Sequence, residues 1–147
     1  MNKVIAITPP NNSKKIWIVT GALAALLLFM SVTQLISLGA FTDIVAEYDL
    51  LPARLLVFMI IALQLLAIPA LLPLKLSPAL RTISAYSVLL LPILWSVMAV
   101  QAYARGLIIE NCGCYGIYFA QKLGLGVLLQ DLVFTTWGIY SFLKIKL

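Results

Sequence analysis

The sequence predicts an all-α integral membrane protein: a four-helix bundle with both termini on the cytoplasmic side. Three observations carry this. Of 147 residues, 63% are hydrophobic and 10% are charged, too little charge to cover a soluble domain of this size. The apolar residues fall in solid runs of bilayer-spanning length rather than alternating with polar ones at helical spacing. The basic residues are spread unevenly around those runs, as expected of membrane topology.

Four runs are long enough to cross a bilayer: Ile16 to Leu38, Leu51 to Leu74, Ile83 to Tyr103 and Leu123 to Phe142. Each has about 20 residues or slightly more, which at about 1.5 Å per residue spans a hydrocarbon core of roughly 30 Å. Lipid supplies no hydrogen-bond partner, so each run must satisfy its own backbone as a helix. The first run follows a basic stretch, but it is longer than a signal-peptide core and ends in a weak cleavage motif, so it is expected to be retained. Residues 1–15 are read as a cytoplasmic N-terminal segment, and 16–147 as one membrane domain.

Seven of the ten cations (Lys3, Lys14, Lys15, Lys75, Arg81, Lys144 and Lys146) fall on one side of this arrangement. The other side holds Arg54, Arg105 and Lys122 together with Asp43, Glu47, Asp49 and Glu110. The positive-inside rule places the seven in the cytoplasm. The loops GAFTDIVAEYDLLPAR and ARGLIIENCGCYGIYFAQK then face outward. The layout fits a bacterial inner membrane. No basic cluster interleaved with aromatics is present, so nucleic acid is not an expected partner.

The second outward loop carries both cysteines of the chain, Cys112 and Cys114, separated by Gly113. Two residues this close satisfy the Cα separation of a disulfide, and glycine between them permits unusual backbone angles. Closing so small a ring removes little chain entropy, so the bond is a poor staple and a better exchange partner. Unpaired structural cysteines, a static disulfide and half of a soft-metal site are the competing readings. With no histidine and no third cysteine, one copy cannot close a four-ligand thiolate site. One dithiol also lacks an onward acceptor, which makes a quinone near Gln64 or Gln101, or a second subunit of a larger membrane complex, the expected outlet for electrons.

Thr33, Gln34, Ser37, Gln64, Gln101 and Gln130 are among the polar residues of the spans and read as interhelical glue. Asp131 is the one carboxylate within a span. It reads either as the partner of Arg105, clamping the loop, or as a group that moves protons to or from a thiol. Pro69, Pro73 and Pro92 interrupt helical donors. Trp17, Tyr103, Tyr115, Tyr118 and Phe119 read as interfacial anchors, and Trp95 and Trp137 as packing.

The run ARGLIIENCGCYGIYFAQKLGLGVLLQDLVF resembles the signature of the MauE family of methylamine-utilisation membrane proteins, within the broader DoxX-like group. Cys112, Gly113, Cys114, Tyr115 and Gly116 match its Cys-Gly-Cys-aromatic-Gly turn, with Tyr115 in place of the more usual Phe. Arg105 and Gly106 match its upstream pair and Asp131 its acid, while Gln130 and Gln64 depart from a frequent Arg and a usual Glu. The resemblance implies a multi-pass membrane protein that acts with an extracytoplasmic thioredoxin-like protein, as in maturation of methylamine dehydrogenase. Under it, Cys112 and Cys114 exchange disulfides, supported by Gly113, Tyr115, Gly116, Arg105 and Asp131. A non-enzymatic docking subunit whose disulfide merely pins a loop is the alternative.

Overall fold

Unbroken apolar runs close their hydrogen bonds internally, and the chain is helical wherever they occur. The computed structural model describes residues 13–146. Five helices follow in order: α1 (Ser13–Ile36), α2 (Leu38–Ala46), α3 (Ala53–Leu71), α4 (Pro78–Ala104) and α5 (Leu125–Lys146). No strand occurs among the described residues. Residues 1–12, most of the expected cytoplasmic segment and including Lys3, lie outside the described residues, as do the side chains of Lys14 and Lys146.

Among the described residues, three helices are long and apolar enough to cross a membrane: Lys15–Ile36, Ala53–Leu71 and Pro78–Ala104. Where the fourth span was expected lies α5, a helix of 22 residues displaced towards the C-terminus and not among these three. Gln130, Asp131, Thr135 and Thr136 dilute its apolar character, so composition alone does not make it a span. The third span begins five residues earlier than expected, at Pro78. Ser77 caps it by accepting from the Leu80 amide over 3.4 Å, and Pro78 fits the first turn, where no helical donor is needed. The first of the loops expected to face outward also folds. Helix α2 follows directly after Ser37 and buries Phe41 and Val45.

Helix α4 packs between α3 and α5, α1 packs on α3, and α2 leans on α3. Phe41, Leu56, Ile60, Met98 and Ala102 are fully buried in the resulting core. At one end, the Arg81 guanidinium donates to the Ile145 carbonyl over 2.7 Å, tying the start of α4 to the end of α5 with a cation at a helix C-terminus. At the other end lie the C-termini of α1 and α4, the α2–α3 connection and the long loop before α5.

Two polar contacts hold the buried helices together. Ser31 on α1 donates to Gln64 Oε1 on α3 over 3.0 Å, and the Ser96 and Thr135 hydroxyls meet at 2.9 Å between α4 and α5. Close approach of α5 to α4 depends on Gly138. A Cβ there would lie 2.8 Å from Pro92 Cγ and 3.0 Å from the Val88 carbonyl oxygen. Pro92 has no N–H to offer that carbonyl, and α5 packs its bare glycine against the place where the proline interrupts α4.

A buried dithiol clamped over a cavity

The loop between α4 and α5 leaves the helix through Gly106, at φ +69. It is closed by two backbone bonds, Leu123 N–H to Ile109 O and Cys112 N–H to Gln121 O, both 2.8 Å. Within it the cysteine turn is folded by its own residues. Asn111 accepts from the Gly113 amide and donates to the Gly116 carbonyl, each at 3.0 Å. Gly113 and Gly116 sit at φ +78 and +62, the region glycine adopts without strain. There is no room for side chains either: a Cβ on Gly113 would meet Ile44 and Phe41 of α2 at 3.1 and 3.2 Å, and one on Gly116 the Thr33 carbonyl at 3.1 Å.

Two side chains from elsewhere hold the turn down. Gln34 on α1 donates to the carbonyls of Gly113 and Cys114 over 3.2 and 3.1 Å. Tyr48, buried after α2, donates its hydroxyl to the Cys112 carbonyl over 2.9 Å. Tyr48 is itself fixed by its own carbonyl, which accepts from Gln101 at 2.7 Å and Arg105 at 3.3 Å. Burial, then the nearby sulfur charges, raises the Tyr48 hydroxyl far above its ordinary pKa, so it stays a donor.

Both cysteines are free thiols and both are buried, with exposures of 1% for Cys112 and 4% for Cys114. Their sulfurs lie 3.1 Å apart and share a hydrogen bond. Gln121 Oε1 lies 3.9 Å from the Cys112 sulfur. The pair does not ionise evenly. A hydrogen bond from Cys114 lowers the Cys112 pKa against the opposing effect of burial. The same bond, burial and the Cys112 charge raise Cys114 well above the thiol range. Cys112 is therefore the sulfur that ionises first.

Beneath Cys114 lies a cavity of about 120 Å³, bounded among others by Met30 of α1, Trp95 of α4, Asp131 and Trp137 of α5, and Tyr115. Asp131 is buried, and its Oδ2 has no hydrogen-bond partner. The expected Arg105–Asp131 pair does not form. Arg105 instead bonds Asp49 Oδ2 at 3.0 Å and the Tyr48 and Asp49 carbonyls. It closes the C-terminal end of α4 and turns outward onto the α2–α3 connection, whereas Asp131 faces the cavity wall. Both partners of the Arg105–Asp49 pair are well exposed, so its worth lies in ordering that connection rather than in energy.

The family described as methylamine utilisation protein MauE matches residues 12–144. The chain belongs to the MauE family. It is a membrane protein of a family linked to methylamine utilisation. No curated protein and no solved structure matches the chain.

In this MauE-family chain, Cys114 and Tyr115 of the turn line one cavity with Asp131, while Arg105 stands one layer away, bonded to the Tyr48 carbonyl. The turn is folded inward over α1 and α2, with both sulfurs buried. Tyr115 and Phe119 pack with Phe29 at ring separations of 6.4 and 6.1 Å, and both Tyr118 and Phe119 remain exposed. Gln64 and Gln101 are engaged by Ser31 and by Tyr48, and the cavity touches neither. The roles of Gln34, Tyr48, Asn111 and Gln121 were not read from sequence. Gln34 stood out only as a polar residue within an apolar run, which marks a partner without naming it.

Proposed function

We propose that the chain is a membrane thiol–disulfide redox partner whose Cys112–Cys114 pair exchanges disulfides with an extracytoplasmic thioredoxin-like protein. The observation that carries this is the 3.1 Å approach of the two sulfurs within a turn built to hold them together. A dithiol whose two members differ this much in acidity is suited to stepwise exchange.

The reaction balances as follows. In the oxidised form, a partner thiolate attacks Cys112 Sγ, the Cys112–Cys114 bond breaks, and Cys114 leaves as a thiolate that takes up a proton. A second partner thiolate then attacks the mixed disulfide and releases Cys112. One disulfide forms on the partner and one is reduced here. The reverse sequence begins with the Cys112 thiolate. Because both sulfurs are buried, exchange needs the segment after the turn to lift. Its exposed Ile117, Tyr118 and Phe119 offer the partner an apolar landing edge.

In this reading α5 is the fourth span, both termini are cytoplasmic, and the cysteine loop faces outward from a bacterial inner membrane. The seven cations of the opposite side support that orientation. An impermeant maleimide should label the reduced turn in intact cells only after the loop is opened by partner or mild denaturant. Replacing both cysteines by serine tests the chemistry. The partner should lose its correct disulfides while the membrane protein remains at normal level.

Burial of both sulfurs favours a second reading, a docking subunit in which the pair only shapes the loop. Unchanged partner oxidation in the double-serine variant would select it.

A further inference from the structure

Resting on that reading, the dithiol needs an acceptor for two electrons, and the cavity under Cys114 has the form of a site for one. We propose that this cavity binds the head ring of a lipid-soluble quinone, which reoxidises the Cys112–Cys114 pair.

Position and chemistry agree. At about 120 Å³ the cavity is smaller than the roughly 150 Å³ that encloses a benzene ring, but it opens at its side, so a ring can seat with one edge in the opening. Helices α1 and α5 make no extended contact, and Val133, on the cavity wall, is 65% exposed. A ring can therefore enter from lipid and leave its tail in the gap. Most of the lining is apolar and aromatic, as ligand sites for flat rings are. Three residues that line it carry buried polar groups without protein partners: Asp131 Oδ2 and the indole N–H groups of Trp95 and Trp137. A hydrocarbon chain would leave all three unsatisfied, whereas a ring with a carbonyl at each end accepts from N–H donors. Cys114 touches the cavity, and Cys112 is one sulfur contact behind it.

The electron count closes. Two thiols lose two protons and two electrons and form one S–S bond. The quinone takes the two electrons and, with two protons on its oxygens, leaves as quinol. Asp131, on the same wall as Cys114, is placed to accept the Cys114 proton and hand it to a ring oxygen.

The test uses the full chain in phosphatidylcholine vesicles, reduced, without oxygen, and with ubiquinone-1 as probe. Trp17→Phe removes the one tryptophan remote from the cavity, leaving Trp95 and Trp137 to report. Saturable quenching of their emission is expected, with one dithiol lost per quinone reduced. Leu26→Phe and Val133→Phe, two independent fillings of the cavity wall and mouth, should each weaken binding and slow oxidation at least tenfold. Circular dichroism verifies that both remain helical. Non-saturating quenching, or oxidation equally fast in both variants, overturns the proposal. Disulfide exchange with a thioredoxin-like protein, measured on the wild-type chain without quinone, decides the preceding reading separately.

Discussion

The side-chain amide of Gln34 donates to the carbonyl of Cys114 over 3.1 Å, joining α1 to a residue 80 positions later. The same amide also holds the Gly113 carbonyl. One buried side chain thus sets the position of both the central glycine and the second cysteine, from a helix that belongs to the apolar body of the protein. With Tyr48 on the Cys112 carbonyl, it makes the turn a rigid part of the bundle end rather than a free loop.

Gln34→Leu keeps the volume and removes both bonds. The buried Cys114 carbonyl then loses its donor, at a cost of about 1–3 kcal/mol, while the Gly113 carbonyl keeps the Gly116 amide at 3.0 Å. The melting temperature of the detergent-solubilised protein should fall, and the cysteines should react faster with maleimide. An unchanged melting temperature and reaction rate would mean that the turn is held by Asn111 and Tyr48 alone.

The two thiols should titrate apart. Cys112 lies below the ordinary thiol pKa because Cys114 donates to its thiolate. Alkylation of Cys112 should therefore reach half its maximal rate at lower pH than for an unperturbed cysteine. Cys114→Ala removes the donor and leaves burial to act, so the half-point should move up. Cys112→Ala should leave Cys114 unreactive until high pH, because burial remains. A half-point that stays put or falls in Cys114→Ala contradicts the assignment of Cys112 as the first to ionise.

Much of this was legible in the residues, and the failures have physical causes. Lipid leaves a long apolar run no alternative to helix, so α1, α3 and α4 could be read with errors only at their ends. The Ser77–Pro78 cap extends α4 beyond its apolar stretch. Helix α2 was missed because nine residues, LGAFTDIVA, are too few for a span and their buried positions, Phe41 and Val45, are set by packing. The cysteine turn was readable as a unit, since Gly113 and Gly116 mark its backbone. Its burial was not, because small polar residues in a loop suggest a surface, and nothing local shows that α1 and α2 cover them. The partner of Arg105 was misread for a related reason. Asp49 and Asp131 are equally acidic in sequence, and only the fold brings one to the guanidinium and points the other at a cavity.

Gly138→Ala should loosen the α4–α5 interface. The added methyl would press on Pro92 and the Val88 carbonyl, and overpacking of this kind costs about 1–3 kcal/mol. Thermal unfolding in detergent should show the loss, while Gly39→Ala, with open space around it, serves as a control of small effect.

Gln64→Met tests how much the buried Ser31–Gln64 bond contributes. Interhelical hydrogen bonds in membranes average about 0.6 kcal/mol, and Gln64 Nε2 has no partner to lose. The substitution should change the melting temperature by no more than a degree or two, equivalent to under about 1 kcal/mol. A larger drop would assign the pair a structural weight comparable to the turn clamps.

Trapping tests the central claim most directly. A Cys114→Ser chain retains Cys112 but cannot resolve a mixed disulfide, so in its native membrane a thioredoxin-fold protein should accumulate covalently attached to Cys112. It should be released by reductant and be absent from Cys112→Ser/Cys114→Ser. If neither single-serine variant captures such a protein when the thioredoxin-like partner is co-expressed, the pair does not exchange disulfides and the account fails.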